Sequence, residues 1–476
     1  MNIKVYPSKL NGSLPAVSSK SDVHRALICA AFSNAPTDIS CNLLSRDIEA
    51  TMRCLNAAGA GISWKEKEGM LHVEPIAGNA SKKRPKEQKF QEEFQASCQE
   101  GGSLLEKRLS DEALPELFCG ESGSTLRFLL PVMAAFGLNC RFTGAGELPN
   151  RPLSELVSVL RTHGARISEV HLPLTLGETW TEKENGFEQP SSFSKAQKQK
   201  CAETGEGKRD GGLSGGEFQL PGNISSQYIT GLLLSFPLLR ENARIRLSSA
   251  LQSSAYVDMT LATMRRFGVT AACLPDGYLV EPKSSGSAFP YLSPGSYQSD
   301  GDWSNAAFWL IADQFPGNKI CVKGLREDSL QGDRKIAELV KASGRELTID
   351  ASGIPDLVPA LSALFALRDG CTARIVHAER LRLKECDRLR ATAKLLLSAG
   401  ADIEELPDGL IIRGKESLFG GAVVSGENDH RIVMTAAILA TACRKPLLIQ
   451  GAEAVEKSYP HFFQDLRKLG GRWEAA

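Results

Sequence analysis

The chain has 476 residues, of which 42% are hydrophobic and 24% are charged, and its 56 Lys and Arg balance its 56 Asp and Glu. This composition is typical of a globular protein with enough apolar material for a core. The zero net charge argues against a general nucleic-acid binder or membrane-surface binder, since both carry excess basic charge.

The amino terminus and the cysteines favour a cytoplasmic protein. The first residues, MNIKVYPSKL, contain no apolar segment typical of a secretory signal. No apolar run approaches the roughly 18 residues that span a bilayer. The twelve cysteines form no CxxC pair and no Cys/His spacing typical of a zinc site. The sequence therefore predicts reduced, mostly buried thiols and no metal.

An internal repeat is indicated by six amphipathic helix patterns, each ending at a glycine that precedes a strand-like segment. These glycines are Gly59, Gly164, Gly268, Gly344, Gly400 and Gly470. A glycine just past a helix is a common left-handed C-cap. Six such endings with similar flanks indicate a sixfold repeat.

Two segments, near 78–115 and 178–216, interrupt this repeat. Both are rich in Lys, Glu, Gln, Ser and Gly and poor in apolar residues, so we expect mobile surface loops. The intervals between the six glycines are 105, 104, 76, 56 and 70 residues. Removing the two inserts brings both long intervals close to about 70 residues.

Each repeat also contains an apolar helix that opens with small or polar residues. In chain order these helices begin near SKSDVHRALICAAF, GESGSTLRFLLPVMAAF, NISSQYITGLLLSF, GDWSNAAFWLIA, IPDLVPALSALFAL and NDHRIVMTAAILA. Their apolar residues fill more than one face, which is typical of buried helices. Strand-like runs such as ARIRL and TARIV lie between them. The sequence therefore predicts an α/β fold with six copies of a βαβαβ-type unit.

Cationic side chains are concentrated near the helix starts of the repeat. They are Lys20, Arg25, Arg127, Arg151, Lys384, Arg388, Arg431 and Lys457. Arg127 and Arg431 immediately precede long apolar runs, where an unpaired charge is costly. Two interpretations stay open: a bound ligand with several negative groups, or an internal network of salt bridges. The serines near these starts, Ser21, Ser124, Ser225 and Ser226, are interpreted as helix N-caps.

Two carboxylates and two histidines lie among these cations. Asp356 and Glu385 either form structural ion pairs or supply a general base and a general acid. His24 and His430 are interpreted as local hydrogen-bonding residues, because no further ligands are spaced to complete a metal site.

At this point the motifs show a family resemblance. SKSDVHRA, ESGSTLRF, the segment ending at Arg151-Pro152, SSQYITGLL, GIPD, LKECDRL, NDHR and EKSYPHF stand in the order found in the 5-enolpyruvylshikimate-3-phosphate synthase family. Apart from the two inserts, the chain resembles this family over its whole length. The resemblance implies a two-lobed enolpyruvyl transferase fold with three units in each lobe. Residues 1–18 and 301–476 would form the C-terminal lobe and residues 19–300 the N-terminal lobe, with the active site in the cleft between them.

The resemblance also implies a reaction. The enolpyruvyl group of phosphoenolpyruvate would be transferred to the 5-hydroxyl of shikimate 3-phosphate with release of phosphate, in the shikimate pathway of aromatic amino acid biosynthesis. No metal and no organic cofactor would be needed. The partners would be these two small molecules, without nucleic acid or membrane, and the protein would be a cytoplasmic monomer.

By the same resemblance, the site residues fall into overlapping groups. Shikimate 3-phosphate would contact Lys20, Ser21, Arg25, Ser225, Ser226, Ser253, Asp356 and Lys384. Phosphoenolpyruvate would contact Lys20, Gly123, Arg127, Arg151, Gln227, Arg388, Arg431 and Lys457. Asp356 would accept the hydroxyl proton, Glu385 would exchange protons at the methylene carbon, and Lys20 would touch both substrates.

Three positions depart from the family pattern. Glu121 stands where Asn is usual, Ser254-Ala255 where Lys-Pro is common, and Arg380 where Asn or Glu is frequent.

Two alternatives to this function stay open. A UDP-N-acetylglucosamine enolpyruvyl transferase shares the fold, but it would need a Cys in the loop GAGELPNRP, which has none. A non-catalytic anion-binding protein on a degenerate copy of the fold is opposed by the retained Lys20, Asp356, Glu385, Arg388 and Lys457.

Overall fold

The computed structural model describes residues 1–76, 114–177, 212–239, 241–281 and 289–476. Both predicted inserts lie outside these ranges except for their last few residues. The α-helices are α1 (Lys20–Ala31), α2 (Arg46–Ala57), α3 (Gly123–Phe136), α4 (Ser154–Thr162), α5 (Ser226–Ser235), α6 (Ser254–Arg266), α7 (Trp303–Ala312), α8 (Ile336–Leu339), α9 (Val358–Ala366), α10 (Arg388–Ser398), α11 (His430–Ala442) and α12 (Phe462–Lys468).

The strands of the N-terminal half are β3 (Thr37–Ser40), β4 (Gly61–Lys65), β5 (Met70–Glu74), β6 (Glu116–Phe118), β7 (Cys140–Thr143), β8 (Leu174–Leu176), β9 (Gly216–Leu220), β10 (Ala243–Leu247), β11 (Ala271–Leu274), β12 (Gly277–Val280) and β13 (Ser296–Tyr297). The others are β1 (Asn2–Tyr6), β2 (Asn11–Pro15), β14 (Lys319–Lys323), β15 (Glu346–Asp350), β16 (Thr372–Val376), β17 (Asp402–Leu406), β18 (Gly409–Arg413), β19 (Val423–Ser425), β20 (Leu447–Gln450) and β21 (Arg472–Ala475).

The described strands form six sheets, one for each predicted unit. Their orders are β13-β3-β5-β4, β6-β7-β8, β9-β10-β12-β11, β14-β2, β15-β16-β18-β17 and β19-β20-β1-β21. In the third and fifth units, the strands on either side of the buried helix pair in parallel, and an antiparallel hairpin follows the surface helix. This confirms the sixfold α/β prediction.

The complete units contain one more strand than the βαβαβ pattern. The additional strand closes a hairpin in which Leu274 pairs with Gly277 in the third unit and Leu406 pairs with Gly409 in the fifth. The two-residue connections are therefore Pro275-Asp276 and Pro407-Asp408, and proline and aspartate are both common turn residues. The fourth unit is shorter, with a two-stranded sheet and the four-residue helix α8.

The helix boundaries follow the predicted signals. All six repeat glycines have positive φ, between 75° for Gly268 and 147° for Gly344. Five of them directly follow the C-cap residue of their helix, as left-handed C-caps do, whereas Gly344 lies four residues beyond Val340, the C-cap of α8. The six apolar helices, α1, α3, α5, α7, α9 and α11, are largely buried, and every residue of α9 is buried. The prediction of one buried helix per unit is therefore confirmed.

Three of the four predicted serine N-caps are wrong. Only Ser225 caps its helix, by accepting a hydrogen bond from the Gln227 amide. Helix α1 already begins at Lys20 and α3 is capped by Ser122, so Ser21 and Ser124 lie within the first turns. Ser226 is likewise the first residue of α5. These three hydroxyls are left available to line a cleft.

Two hydrophobic cores divide the described chain. One contains residues from 23 to 297, and the other contains residues from 3 to 17 and from 303 to 469, together with Leu43. The chain passes between them twice, where Ser18 and Gly301 form a β-bridge. Because each core is continuous within its own segments, we propose lobes divided near residues 18 and 301.

The described residues also show the state of the cysteines and the character of the helices. The ten described cysteines are free thiols, and all but Cys273, Cys321 and Cys386 are buried. This agrees with the predicted reduced and mostly buried thiols. None of the described helices has the length and apolarity needed to cross a membrane.

Candidate active site

A cleft between the two cores brings together nearly all of the predicted site residues. Its empty volume, including the open mouth, is about 1370 Å³. Of the sixteen predicted site residues, only Lys457 is not part of the lining. The N-terminal half contributes the starts of α1, α3, α5 and α6, and the C-terminal half contributes the segments before α9, α10 and α11.

The cleft has an excess of positive charge. It is lined by eight cations, Lys20, Arg25, Arg127, Arg151, Arg380, Lys384, Arg388 and Arg431, and by five acids, Asp47, Asp302, Asp333, Asp356 and Glu385. Burial raises the pKa of Asp302, and burial together with the charge of Asp356 raises the pKa of Asp333 to about 7. The cationic excess is therefore larger than the residue types alone indicate.

Arg388 lies at the centre of a salt-bridge network. Its Nε donates to Asp429 Oδ2 at 2.6 Å, its Nη1 to Asp356 Oδ1 at 2.8 Å and its Nη2 to Glu385 Oε2 at 2.6 Å. Arg431 Nη2 lies 3.0 Å from the other Asp356 oxygen. For these two arginines, the internal-network interpretation is confirmed.

Other cations of the cleft are held by neutral groups. Arg25 donates from Nε to Thr260 Oγ1 and from Nη2 to Tyr256 O, both at 2.8 Å. Arg127 donates from Nη1 to Gln227 Oε1 at 2.8 Å. Neither arginine forms an ion pair within the part of the chain that the structure describes. Burial lowers the pKa of each to about 10, so both stay charged at neutral pH.

Unpartnered donors remain on the phosphoenolpyruvate side of the predicted site. Arg127 Nε, Arg151 Nε and Arg431 Nε are buried and have no hydrogen-bond partner among the described residues. Arg151 reaches Glu385 only at 3.8 Å. Since a buried guanidinium without acceptors is costly, these donors favour an anionic ligand. The salt-bridge network therefore explains some of the clustered cations, and a bound anionic ligand would explain the others.

Both carboxylates at the centre of the cleft are ionised near neutral pH. Burial opposes ionisation of Asp356, but the charges of Arg431, Lys384 and Arg388 outweigh it and hold its pKa below the usual range. Burial also opposes ionisation of Glu385, and there Arg388 and Arg151 prevail and lower its pKa. Both carboxylates are therefore in the form that accepts a proton, although each is a weaker base than a free carboxylate.

Two lysines extend the site along its edges. Lys20, the first residue of α1, donates from Nζ to Asp47 Oδ2 at 2.7 Å, and its backbone amide donates to Asp302 Oδ2. It therefore lies where the chain passes between the two cores. For Lys384, burial lowers the pKa to about 8, against the opposing charge of Asp356. Its charge is thus sensitive to pH near neutrality.

Lys457 lies outside the cleft lining because another carboxylate holds it. Its buried ammonium donates to Glu121 Oε2 at 2.8 Å and to the Asn428 carbonyl at 2.5 Å. Asn428 Nδ2 also donates to Glu121 Oε2, at 2.7 Å. Glu121, one of the departures from the family pattern, therefore neutralises a lysine that the resemblance assigns to a substrate.

The two histidines differ from each other. His24 Nδ1 lies 2.8 Å from Thr51 Oγ1, which confirms local hydrogen bonding. The same prediction is wrong for His430, whose ring nitrogens are buried without a hydrogen-bond partner among the described residues. His430 instead lines the cleft. Within the described ranges, no three His, Cys, Asp or Glu side chains are grouped as metal ligands.

Sequence reasoning gave no site role to several polar residues of the cleft lining, among them Tyr256, Arg380 and His430. Tyr256 donates from its hydroxyl to Asp356 Oδ2 at 3.1 Å, and Arg380 donates from Nη2 to Ser253 Oγ at 2.9 Å. His430 was visible beside Arg431 in NDHR but was interpreted as structural. The tyrosine and Arg380 carry no local signal, since each meets its partner about one hundred residues away in the chain.

Comparisons with known proteins identify the family. A model of EPSP synthase (3-phosphoshikimate 1-carboxyvinyltransferase) matches residues 5–97, 99–201 and 202–466. Proteins named 3-phosphoshikimate 1-carboxyvinyltransferase from Clostridioides difficile strain 630 and Clostridium novyi strain NT are 37% and 36% identical. Each comparison covers 99% of this chain and 98% of the relative. A solved EPSP synthase from Acinetobacter baumannii shares the fold, with a TM-score of 0.70, 19% identity and full coverage of both chains. The chain therefore belongs to the EPSP synthase (3-phosphoshikimate 1-carboxyvinyltransferase) family.

Proposed function

We propose that this protein transfers the enolpyruvyl group of phosphoenolpyruvate to the 5-hydroxyl of shikimate 3-phosphate and releases phosphate. The observation that carries the proposal is the arrangement of Asp356 and Glu385 on Arg388, within a cleft that has surplus cations. The two substrates together bring two phosphates and two carboxylates. Such a pair of ligands supplies the anions that the unpartnered guanidinium donors require.

The proposed substrate positions follow the lining. Shikimate 3-phosphate lies against the starts of α1, α5 and α6, with Ser21, Arg25, Ser225, Ser226, Ser253, Asp356 and Lys384. Phosphoenolpyruvate lies against the start of α3 and the C-terminal half, with Gly123, Arg127, Arg151, Gln227, Arg388 and Arg431. Lys20 contacts both, and Lys457 joins phosphoenolpyruvate when it leaves Glu121.

In the proposed reaction, Asp356 takes the 5-hydroxyl proton while the oxygen bonds to the central carbon of phosphoenolpyruvate. At the same stage Glu385, which has taken up a proton from solvent, gives that proton to the methylene carbon, which makes a methyl group and a tetrahedral intermediate. Loss of a methyl proton to Glu385 then expels phosphate. Substrate anions that compete for Arg388 weaken its hold on Glu385, which raises the pKa of that carboxyl toward a value suited to proton exchange. The fixed cations stabilise the charge of the intermediate.

The two other functions are less well supported. The loop GAGELPNRP lacks the Cys that a UDP-N-acetylglucosamine enolpyruvyl transferase would need, and the compared relatives carry the shikimate name. A non-catalytic protein is opposed by Lys20, Asp356, Glu385 and Arg388, which are all retained and line one cleft. We further propose a cytoplasmic monomer, and the ten free thiols support a reducing compartment.

A phosphate-release assay tests the proposed function. Purified protein is given phosphoenolpyruvate with shikimate 3-phosphate, with UDP-N-acetylglucosamine, or with neither acceptor. Release only with shikimate 3-phosphate, with formation of the enolpyruvyl ether, is the expected result. Release only with UDP-N-acetylglucosamine, or none with either acceptor from a folded protein, would overturn the proposal.

Gly123→Ala is expected to raise the KM for phosphoenolpyruvate about tenfold or more. A Cβ at this position would lie 2.8 Å from Arg127 Nη1 and 2.9 Å from Arg151 Nη1, and hydrogen bonds and burial hold Arg127 in place. The methyl group therefore displaces the guanidiniums that hold the substrate. A loss of about 1.4 kcal/mol of binding free energy weakens the affinity tenfold. Gly137→Ala, at the far end of α3, meets no atom within 4 Å but has a φ of 74°, so it should cost stability without changing this KM. Equal KM values in wild type and Gly123→Ala would remove Gly123 from the site.

Glu121→Gln is expected to lower the KM for phosphoenolpyruvate by about two- to fivefold. The substitution keeps the side-chain shape but releases Lys457 from its charge partner, and a partly exposed ion pair is worth ~0.2–1 kcal/mol. Initial rates at saturating shikimate 3-phosphate measure the effect. The Lys457→Met, Glu121→Gln double variant should not show the improvement. An unchanged or higher KM in Glu121→Gln would mean that the Glu121–Lys457 ion pair only holds the two halves of the chain together and does not withhold Lys457 from phosphoenolpyruvate.

The kcat/KM for shikimate 3-phosphate is expected to fall as pH rises above about 8. Burial lowers the pKa of Lys384 to about 8, so the ammonium that contacts the substrate loses its proton in that range. Lys384→Arg keeps its charge at higher pH, and its basic limb should therefore move upward. A pH profile of both proteins checks this, and an identical basic limb would assign the fall to another group.

A further inference from the structure

The guanidinium of Arg25 is held in place by uncharged groups. Arg25 lies on α1, and its Nε donates to Thr260 Oγ1 and its Nη2 to the Tyr256 carbonyl, both at 2.8 Å. Its Nη1 donates to the Ser21 carbonyl. The guanidinium carbon lies 5.3 Å from the centre of the Phe128 ring, which is close enough for a cation–π contact. The orientation of this guanidinium is therefore set by groups on α1, α3 and α6.

Thr260, in the second turn of α6, uses the whole hydrogen-bonding capacity of its hydroxyl in this arrangement. The residue is completely buried. Its hydroxyl donates to the Tyr256 carbonyl at 2.9 Å and lies 3.0 Å from Thr230 Oγ1 on α5. A hydroxyl has one hydrogen and two acceptor lone pairs, so Thr260 accepts from both Arg25 and Thr230. Thr260 is not part of the cleft lining, whereas Arg25 is, and its contact with the arginine therefore comes from outside the cleft.

The uncharged contacts leave the charge of Arg25 available to a ligand. A carboxylate in the place of the Thr260 hydroxyl would orient the guanidinium and also neutralise it, as three carboxylates do for Arg388. Burial lowers the pKa of Arg25 to about 10, against the charge of Asp22, so the guanidinium stays charged at neutral pH. A ligand anion thus meets a cation that is already oriented, and binding does not have to order a flexible side chain.

We propose that Thr260 is a positioning residue for shikimate 3-phosphate, because it orients Arg25 toward that substrate without contacting the substrate itself. The inference rests on the proposed function, in which Arg25 contacts shikimate 3-phosphate, and it adds a residue of the protein interior to that site. Without the Thr260 hydroxyl, Arg25 Nε loses its acceptor and the guanidinium can turn toward other oxygens. Binding must then order the side chain, which weakens the affinity.

Calorimetric titration with shikimate 3-phosphate compares three variants of the full-length protein with wild type. Thr260→Val keeps the shape of the side chain but removes the hydroxyl, and we expect it to raise the Kd about fivefold or more, the cost of ordering one long side chain. Thr260→Ser keeps the hydroxyl and should stay within about twofold of wild type. Thr263→Val is the matched control, because Thr263 is also buried on α6 and donates to the Met259 carbonyl at 3.0 Å, but forms no hydrogen bond with Arg25. Its Kd should stay within about twofold of wild type even if the protein is less stable.

Two further measurements separate positioning from a merely structural role. The KM for phosphoenolpyruvate at saturating shikimate 3-phosphate should change less than about twofold in Thr260→Val, because that substrate does not contact Arg25 in the proposed site. Thr260→Val should also raise the Kd of Arg25→Gln by less than about twofold, since it acts only through the arginine.

Three outcomes would overturn the inference: an unchanged Kd in Thr260→Val, an equal rise in its KM for phosphoenolpyruvate, or the same loss of affinity in the Arg25→Gln background. If Thr260→Val does not fold, Thr260→Cys, whose thiol is a weak acceptor, takes its place in every comparison. Failure of wild type to bind shikimate 3-phosphate would instead overturn the proposed function.

Discussion

Asp356→Asn is expected to lower turnover by about a hundred- to ten-thousandfold, the usual cost of removing a positioned acid or base. The amide keeps the shape of the side chain but cannot take the hydroxyl proton. Arg388 retains Asp429 and Glu385 as partners, so the network around it should persist. Phosphate release measures turnover, and calorimetry measures the Kd for shikimate 3-phosphate, which should remain measurable.

The matched control for this variant is Asp402→Asn, which removes an exposed carboxylate paired with Arg413. It should turn over like wild type, because exposed ion pairs contribute little. Turnover near wild type in Asp356→Asn would exclude Asp356 as the base. Loss of shikimate 3-phosphate binding with folding intact would show that Asp356 serves as a counter-ion for Arg388 and Arg431.

Glu385→Gln is expected to produce a similar fall in turnover but a different isotope pattern. In deuterated water, the wild-type enzyme should place deuterium at the methylene carbon, because Glu385 exchanges protons there. Residual turnover by Glu385→Gln should incorporate little deuterium, whereas Asp356→Asn should still incorporate it. Mass spectrometry of the recovered substrate and product measures the label.

Glu404→Gln, an exposed carboxylate on β17 that pairs with Arg413, is the control for the second variant. Wild-type deuterium incorporation by Glu385→Gln would assign the proton exchange to another group. Equal loss of label in the Asp356 and Glu385 variants would show that the two carboxylates act as one unit on Arg388 and cannot be given separate roles.

The sequence alone determined the repeat, because its signals are local. A glycine with positive φ follows the surface helix directly in five units and a few residues later in the fourth, and apolar residues on more than one face require burial in any fold. The additional hairpin strand was also readable, in the turn residues Pro275-Asp276 and Pro407-Asp408, although the unit was predicted without it. The serine caps were misplaced because helices α1 and α3 begin one or two residues earlier than the motifs indicate.

The family motifs named the site residues, but only the tertiary structure decided how their charges are paired. Glu121 meets Lys457 across 336 positions, and Arg380 meets Ser253 across 127. No periodicity encodes such pairs, since they depend on where two separately built cores meet. The Arg388 network lies within the C-terminal half, but it too joins three separate segments, those that carry Asp356, Glu385 and Asp429. Local backbone preferences set the units, whereas the packing of distant helix starts against one another set the electrostatics of the cleft.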